Sequence, residues 1–173
     1  MTEAKEHLEV ETSDWDDLIE SLIGAARESA EHFTDRHFVQ KRVVQYFDSF
    51  PSGGSPIELG FAPVREVKTV QYVDEDGVTQ TWASSNYLAD LSDGMPPRIT
   101  EAYGINWPSI RDQANSVIVT YDIGPKSLSD IPKSVKAAIK LQVGAMFENR
   151  EDPAQEKIRA SQNLLQVSKR TFL

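Results

Sequence analysis

The hydrophobic pattern of this chain changes period twice, and that constrains the fold more than any other feature. Trp15, Leu18, Ile19, Leu22, Ile23, Ala26, Ala30 and Phe33 recur at helical spacing, with Asp16, Asp17, Glu20, Arg27, Glu28 and Glu31 mostly to the sides and back. The spacing predicts a helix over 14–33, entered through Ser13 and Asp16 as a capping box in which Asp replaces the usual Glu or Gln. Residues 39–123 then read in β-type runs: Lys41–Phe47, Ile57–Leu59, Val64–Val73, Val78–Trp82, Asn86–Leu91, Arg98–Thr100 and Val117–Tyr121. Asp74-Glu-Asp-Gly77 joins two of these as a hairpin turn, and Gly124-Pro125 ends the last. From Ile131 the period returns to helical through Val135, Ala138, Ile139, Gln142, Met146 and Phe147.

That return predicts a helix over 132–149, with Asp130 as its cap and Pro132 in its first turn, where a missing N–H costs nothing. Pro153 breaks the chain, and a weaker amphipathic stretch predicts a last helix over 154–168. Strands grouped between helices argue against βαβ winding. The expected class is α+β: one N-terminal and two C-terminal helices as a helical bundle, with a central antiparallel β-rich insertion over 39–123. Residues 1–12, polar and aperiodic, read as a flexible acidic arm, and 13–173 as a single domain. A chain of 173 residues is long enough to bury roughly two thirds of its unfolded surface without staples. None are on offer, since cysteine is absent, which excludes disulfides, thiolate metal sites and a cysteine nucleophile together. No run of 18 apolar residues occurs and the first ten residues are acidic, so neither membrane spanning nor secretion is expected.

Charge is distributed unevenly. Residues 1–40 hold 11 acids against Lys5, Arg27 and Arg36, so they carry nearly all of the net charge of −9. The last stretch, 157–173, holds Lys157, Arg159, Lys169 and Arg170 and no acid. The plain reading is a solvated tail and a solvated helix face; the functional one is that the two ends meet different partners, or each other between copies. Generic DNA binding is disfavoured, because phosphate affinity comes from Lys and Arg.

Catalytic constellations are missing. His7 lies in the arm, and His32 and His37 straddle a helix end without the i, i+4 spacing of a metal pair. Asp74-Glu-Asp-Gly77 lacks the later carboxylates of a calcium loop. The carboxylates Asp14, Asp16, Asp17 and Glu20 gather where a helix macrodipole favours them. Pro51-Ser-Gly-Gly-Ser55 lacks the Lys-Ser/Thr of a phosphate loop. Trp107-Pro108 reads equally well as an interface anchor or as a loop packed on the sheet. No catalytic residue, metal or cofactor is expected.

Taken in order, the pieces resemble the head–tail connector (adaptor) proteins of tailed double-stranded-DNA bacteriophages, in the branch with a β-rich insertion. Leu18-Ile19, Leu22-Ile23, Ala25-Ala26-Arg27, Glu31, Thr34 and Arg36 are similar to that family's first helix and its exit. Pro63-Val64, Val67, Val70, Tyr72, Asp74 and Asp76-Gly77 resemble its central hairpin, and Tyr87 the following strand. Trp107-Pro108, Asn115, Val117, Val119, Tyr121 and Gly124 resemble the loop and last strand. Ile131-Pro132, Val135, Ala138-Ile139, Leu141 and Glu148-Asn149-Arg150-Glu151 resemble the penultimate helix. Two positions depart from the pattern: Asp35 stands where glycine is common at the helix end, and Pro125 where an aromatic is common.

The resemblance implies a structural virion protein rather than a catalyst, found at the neck and in host cytoplasm during assembly. It implies a homo-oligomeric ring, usually a dodecamer, below the portal, joining the DNA-filled capsid to a stopper or tail-completion protein while double-stranded DNA passes through. No membrane partner is implied. On that reading Lys157, Arg159, Lys169, Arg170, Phe172 and Leu173 are candidate portal contacts that order on binding, so that deleting 157–173 would leave the core folded. Asp14, Asp16, Asp17, Glu20, Glu28 and Glu31 are candidate channel or subunit-interface acids. The alternatives are another neck or tail completion protein, such as a stopper or tail terminator, and a small ligand-binding domain lined by Trp82, Trp107 and nearby tyrosines.

Overall fold

A computed structural model of the chain describes residues 1–92, 95–149 and 155–169. In chain order the elements are α1 (Thr2–Leu8), α2 (Asp16–Thr34), β1 (Lys41–Phe47), β2 (Ile57–Glu58), β3 (Val64–Val73), β4 (Thr79–Trp82), β5 (Tyr87–Asp90), β6 (Arg98–Glu101), β7 (Val117–Ile123), α3 (Lys133–Glu148) and α4 (Gln155–Leu165). The α+β class and the helix–insertion–helix order read from the sequence are therefore observed. Packing divides the described chain into two compact units, one of residues 1–38 with 127–169, the other of 39–126.

The helical unit closes on Ala30, Phe38, Val135, Ala138 and Leu165, with Phe33, Ile131, Ile139 and Leu164 packed around them. Ile19, Ala26, Val143 and Ala145 are buried as well. Alanine at the crossings lets α2 and α3 approach closely, and each buried Leu or Val contributes about 1.5–3 kcal/mol. Trp15 meets Phe147 edge to face at 6.0 Å.

Four local expectations are corrected here. Residues 1–12 are not an aperiodic arm, because Thr2–Leu8 is helical with Ala4 buried. A helix that short does not hold itself in water; Lys5 Nζ reaches Asp16 Oδ1 at 2.7 Å and Lys140 Nζ reaches Glu3 Oε2 at 3.4 Å. The Ser13–Asp16 capping box does not form: Trp15 takes the N-cap position, and Asp16 donates its N–H to the Ser13 carbonyl at 3.1 Å. Asp130 does not cap α3 either. It completes a capping box with Ser127 around the 3-10 turn Leu128–Asp130, while Pro132 is the N-cap of α3 and its carbonyl accepts from Val135 and Lys136. Lastly, deleting 157–173 would not leave the core intact, because α4 buries Ser161 and Leu165 completely.

The exit of α2 keeps its left-handed turn although glycine is absent. Asp35 adopts φ 52° and donates its N–H to the Glu31 carbonyl. Asp is one of the few residues that visit this region without a prohibitive clash.

The sheet unit holds two antiparallel sheets, one ordered β1-β7-β3-β4 and one ordered β2-β6-β5. Their shared core is Ile57, Leu59, Val64, Val70, Trp82, Tyr87, Ile99, Val117, Val119, Tyr121 and Ile123. Asp74 closes the β3–β4 hairpin by accepting from the Val78 N–H and the Gln80 amide, both at 2.8 Å. Those bonds, Gln80 first, hold the Asp74 carboxyl below its ordinary range. Trp107 proves to be loop packed on the sheet: it stacks on Phe50 at 4.7 Å, lies 4.7 Å from Trp82, and donates its backbone N–H to Glu101. The Gly124–Pro125 loop is held by the Gln40 amide, which donates to the Pro125 and Lys126 carbonyls. Gly124 itself sits at φ 92°, where an added Cβ would lie 2.4 Å from the Val39 carbonyl oxygen.

Candidate interface surfaces

Three surfaces of this molecule carry concentrated charge among the described residues. The first is the exposed side of α2. Asp17, Glu20, Gly24 and Glu28 are spaced i+3, i+4 and i+4, which places them along one ridge. Asp17, Glu20 and Glu28 are exposed, and nothing lies within 4 Å of where a Cβ on Gly24 would stand. Glu28 has Arg27 at 3.4 Å. Asp14 is exposed just ahead of the helix. Two of the six candidate acids do not belong to this set. Asp16 is paired with Lys5, and Glu31 is buried, accepting the Phe38 N–H at 2.7 Å with His37 Nδ1 at 3.6 Å. A carboxylate used that way fixes the path out of the helix and presents no charge to solvent.

The second surface is the C-terminal basic set. Lys157 is bound to Glu148 of the preceding helix, and Lys169 lies over the Phe33 ring at 5.3 Å. Arg159 is exposed, as is Val167. The set is thus partly tied into the helical unit. Arg170, Phe172 and Leu173 lie outside the described residues.

The third surface was not anticipated. On β1, alternation puts Arg42, Val44 and Tyr46 on one face, opposite Asp122, Thr120 and Ile118 of β7. The other face of β7 carries Val117, Val119 and Tyr121 into the core, so Arg42, Val44 and Tyr46 point away from it. Val44 is 46% exposed and Tyr46 55%. Beside them Asp122, only 8% exposed, gathers three cations. Arg42 donates to its two oxygens at 2.8 and 3.2 Å, Arg65 reaches it at 3.4 Å and Lys68 at 3.6 Å. Lys68 also binds Glu66 at 2.6 Å.

The way Arg65 and Lys68 arrive there is informative. Regular pairing of β3 with β7 is interrupted between Val64 and Glu66 and again between Val67 and Thr69. The two extra residues of these irregularities are Arg65 and Lys68. A bulge re-aims the side chain it inserts, and both insertions bring a cation onto the same carboxylate. The Arg42 hydrogen bond, opposed by desolvation and aided by the three charges, lowers the Asp122 pKa to about 2. The same contact raises that of Arg42. Chemically this is a fixed, net-positive cluster next to an apolar strip on an edge strand. The sequence signal was present in Lys41–Phe47, where Val43 and Val44 are adjacent and so cannot both face the core.

No group of His, Cys, Asp and Glu that could hold a metal ion occurs among the described residues. No helix among them is long and apolar enough to cross a membrane. Trp82, Trp107, Phe50 and Tyr87 are packed ring against ring rather than around an opening.

Terminal helices around an antiparallel β insertion, with charged outer surfaces, define an α+β class of fold. Comparison with known proteins agrees. The family model of phage gp6-like head-tail connector proteins matches residues 1–69, from α1 into β3. Among solved structures, a chain from the virion of a native gene transfer agent particle superposes with TM-score 0.79 at 23% identity, covering 99% of this chain and 89% of that one. A chain from the neck of the native particle, computed with C12 symmetry, gives 0.74 at 20% identity over 99% and 88%. One from the neck of the empty particle, computed with C6 symmetry, gives 0.72 at 21% over 99% and 89%. No curated protein matches the chain. The resemblance to head–tail connectors read from the sequence is thereby borne out, and these structures share the fold along nearly its whole length.

Proposed function

We propose that this chain is a head–tail connector of a tailed-phage-like particle. It acts as a structural component of the virion neck, assembling as a ring of twelve below the portal and joining the DNA-filled capsid to a stopper or tail-completion protein. DNA crosses its channel, and the chain resides in host cytoplasm until assembly. The observation that carries this reading is the superposition of 99% of the chain on proteins of gene transfer agent necks, one computed with C12 symmetry. A closed ring built from head-to-tail contacts needs two unlike, complementary surfaces on each subunit. The acidic ridge of α2 and the basic surfaces described above meet that requirement.

Within this reading the portal contact is made by the C-terminal basic set: Arg159 and Lys169, joined by Lys157 once it leaves Glu148, with Arg170, Phe172 and Leu173 beyond. Asp14, Asp17, Glu20 and Glu28 line the channel or a subunit contact, where negative charge does not hold passing phosphates. Asp16 and Glu31 are withdrawn from that role by Lys5 and Phe38.

The decisive experiment mixes the purified chain with its cognate portal ring and weighs the product by native mass spectrometry. A complex with one copy per portal subunit, weakened by salt, is expected. No association at any ionic strength would refute the assignment. Removal of 157–173 is not a clean test of the portal contact, since it takes Leu165 from the core. The double substitution Arg159→Ala with Lys169→Ala serves instead, and is expected to weaken portal binding while the far-ultraviolet circular dichroism stays unchanged.

A further inference from the structure

We infer that the outer face of the four-stranded sheet, centred on Val44 and Tyr46 and flanked by Arg42, is a subunit contact, and that it receives the acidic ridge of α2 from a second copy of this chain. The inference rests on the ring reading above and specifies which surfaces close the ring.

Three observations carry it. Val44 and Tyr46 stand side by side on an edge strand, roughly half exposed, with Ile118 as the cross-strand neighbour of Tyr46. An amphipathic aromatic beside a branched aliphatic is the composition expected at the centre of a protein interface. Next to them three cations share one carboxylate, and even with Glu66 counted the cluster keeps an excess of positive charge. Arg42, the outermost, is 62% exposed. The complementary surface exists on the same molecule: Asp17 and Glu20 make no ion pair among the described residues, and Gly24 leaves the middle of the ridge open to close approach.

A second copy is favoured over nucleic acid as the occupant. A phosphate backbone would be drawn to Arg42, Arg65 and Lys68 and could accept from the Tyr46 hydroxyl, but it offers no apolar surface to Val44 and the Tyr46 ring. An acidic helix ridge with a bare glycine at its centre satisfies both halves of the patch. The contact is heterologous, sheet of one copy to helix of the next, which is the type that closes rings.

The absence of cysteine makes the test direct. Three full-length variants are prepared: Tyr46→Cys, Glu20→Cys, and both together. Each is assembled on the portal ring, its mass is measured, and it is then treated with a short bis-maleimide. The double variant is expected to give a ladder of covalent oligomers on a denaturing gel, and neither single variant any dimer. A Tyr46→Cys dimer would mean that this face meets itself, and would overturn the inference. So would assembled rings that yield no ladder from the double variant, or from Val44→Cys paired with Asp17→Cys. Protection of the Tyr46→Cys thiol by duplex DNA in the absence of other copies would overturn it in favour of nucleic acid. Failure to assemble on the portal at all refutes the ring reading itself, and is distinguished by the mass measured before cross-linking.

Discussion

The helical unit and the sheet unit each place a carboxylate out of solvent, and they satisfy it in opposite ways. Glu31, at the end of α2, accepts a backbone N–H from Phe38 and lies beside His37. Asp122, on the central strand β7, is surrounded by Arg42, Arg65 and Lys68. The first arrangement is local: seven residues separate the partners, and the bond sets the direction in which the chain leaves the helix. The second joins three strands distant in sequence and leaves positive charge over. One unit uses a buried acid to finish a turn, the other to organise a surface. Glu31 therefore serves the path of the chain itself, whereas the cations delivered by the sheet irregularities leave charge on a surface.

That contrast can be broken or sharpened by substitution. The largest effects are expected in the two cores. Trp82→Ala removes the ring shared by Phe50, Tyr87 and Trp107 and should cost about 3–5 kcal/mol. Leu165→Ala in the helical unit should cost about 2–5 kcal/mol. Urea unfolding gives both totals, and hydrogen exchange shows which unit loses protection first. Glu31→Ala leaves the Phe38 N–H without its acceptor and should cost about 1–3 kcal/mol. Its exchange signature should be confined to the end of α2; loss of protection throughout the sheet unit would contradict a purely local role.

Gly124→Ala comes next. The left-handed φ and the approach of the Val39 carbonyl predict a loss of at least about 1 kcal/mol, seen in the thermal midpoint. Acid titration then separates the sheet unit's carboxylate from ordinary ones. Because the folded pKa of Asp122 is depressed to about 2, its contribution is complete above the unfolded value near 3.8 and fades as pH falls from there through about 2. Asp122→Asn should remove that part of the pH dependence, so wild type and variant profiles should converge at the acid end. An unchanged acid profile in the variant would refute the cation cluster. The smallest effect on the isolated chain is expected for Asp17→Asn with Glu20→Gln, within about 0.5 kcal/mol. The same pair should nonetheless weaken ring assembly markedly.

Helix spacing along α2 and α3, the β-branched runs and the Asp74–Gly77 turn were all legible in the sequence, because periodicity and turn chemistry act over a few residues. Boundaries fell within a residue or two for the same reason. Capping was not legible. Ser13 and Asp130 have suitable chemistry, but Asp16 is claimed by Lys5 from α1 and Asp130 by Ser127, and competition between partners is settled only when the elements meet. The helical state of Thr2–Leu8 was hidden similarly, since a helix of that length depends on tertiary contacts.

Sorting the candidate acids also required the fold. Asp14, Asp17, Glu20, Glu28 and Glu31 look alike in the sequence, yet Glu31 turns inward at the helix exit while Asp17, Glu20 and Glu28 stay on the ridge. The sequence by itself determined the element types, the excess of acid at one end and the absence of thiol chemistry, all of which are local or compositional. The tertiary structure alone decided that Arg42, Arg65, Lys68 and Asp122 form one cluster. Their contact is created by strand register and by two irregularities in β3, and register is a property of pairing between segments that no single segment encodes.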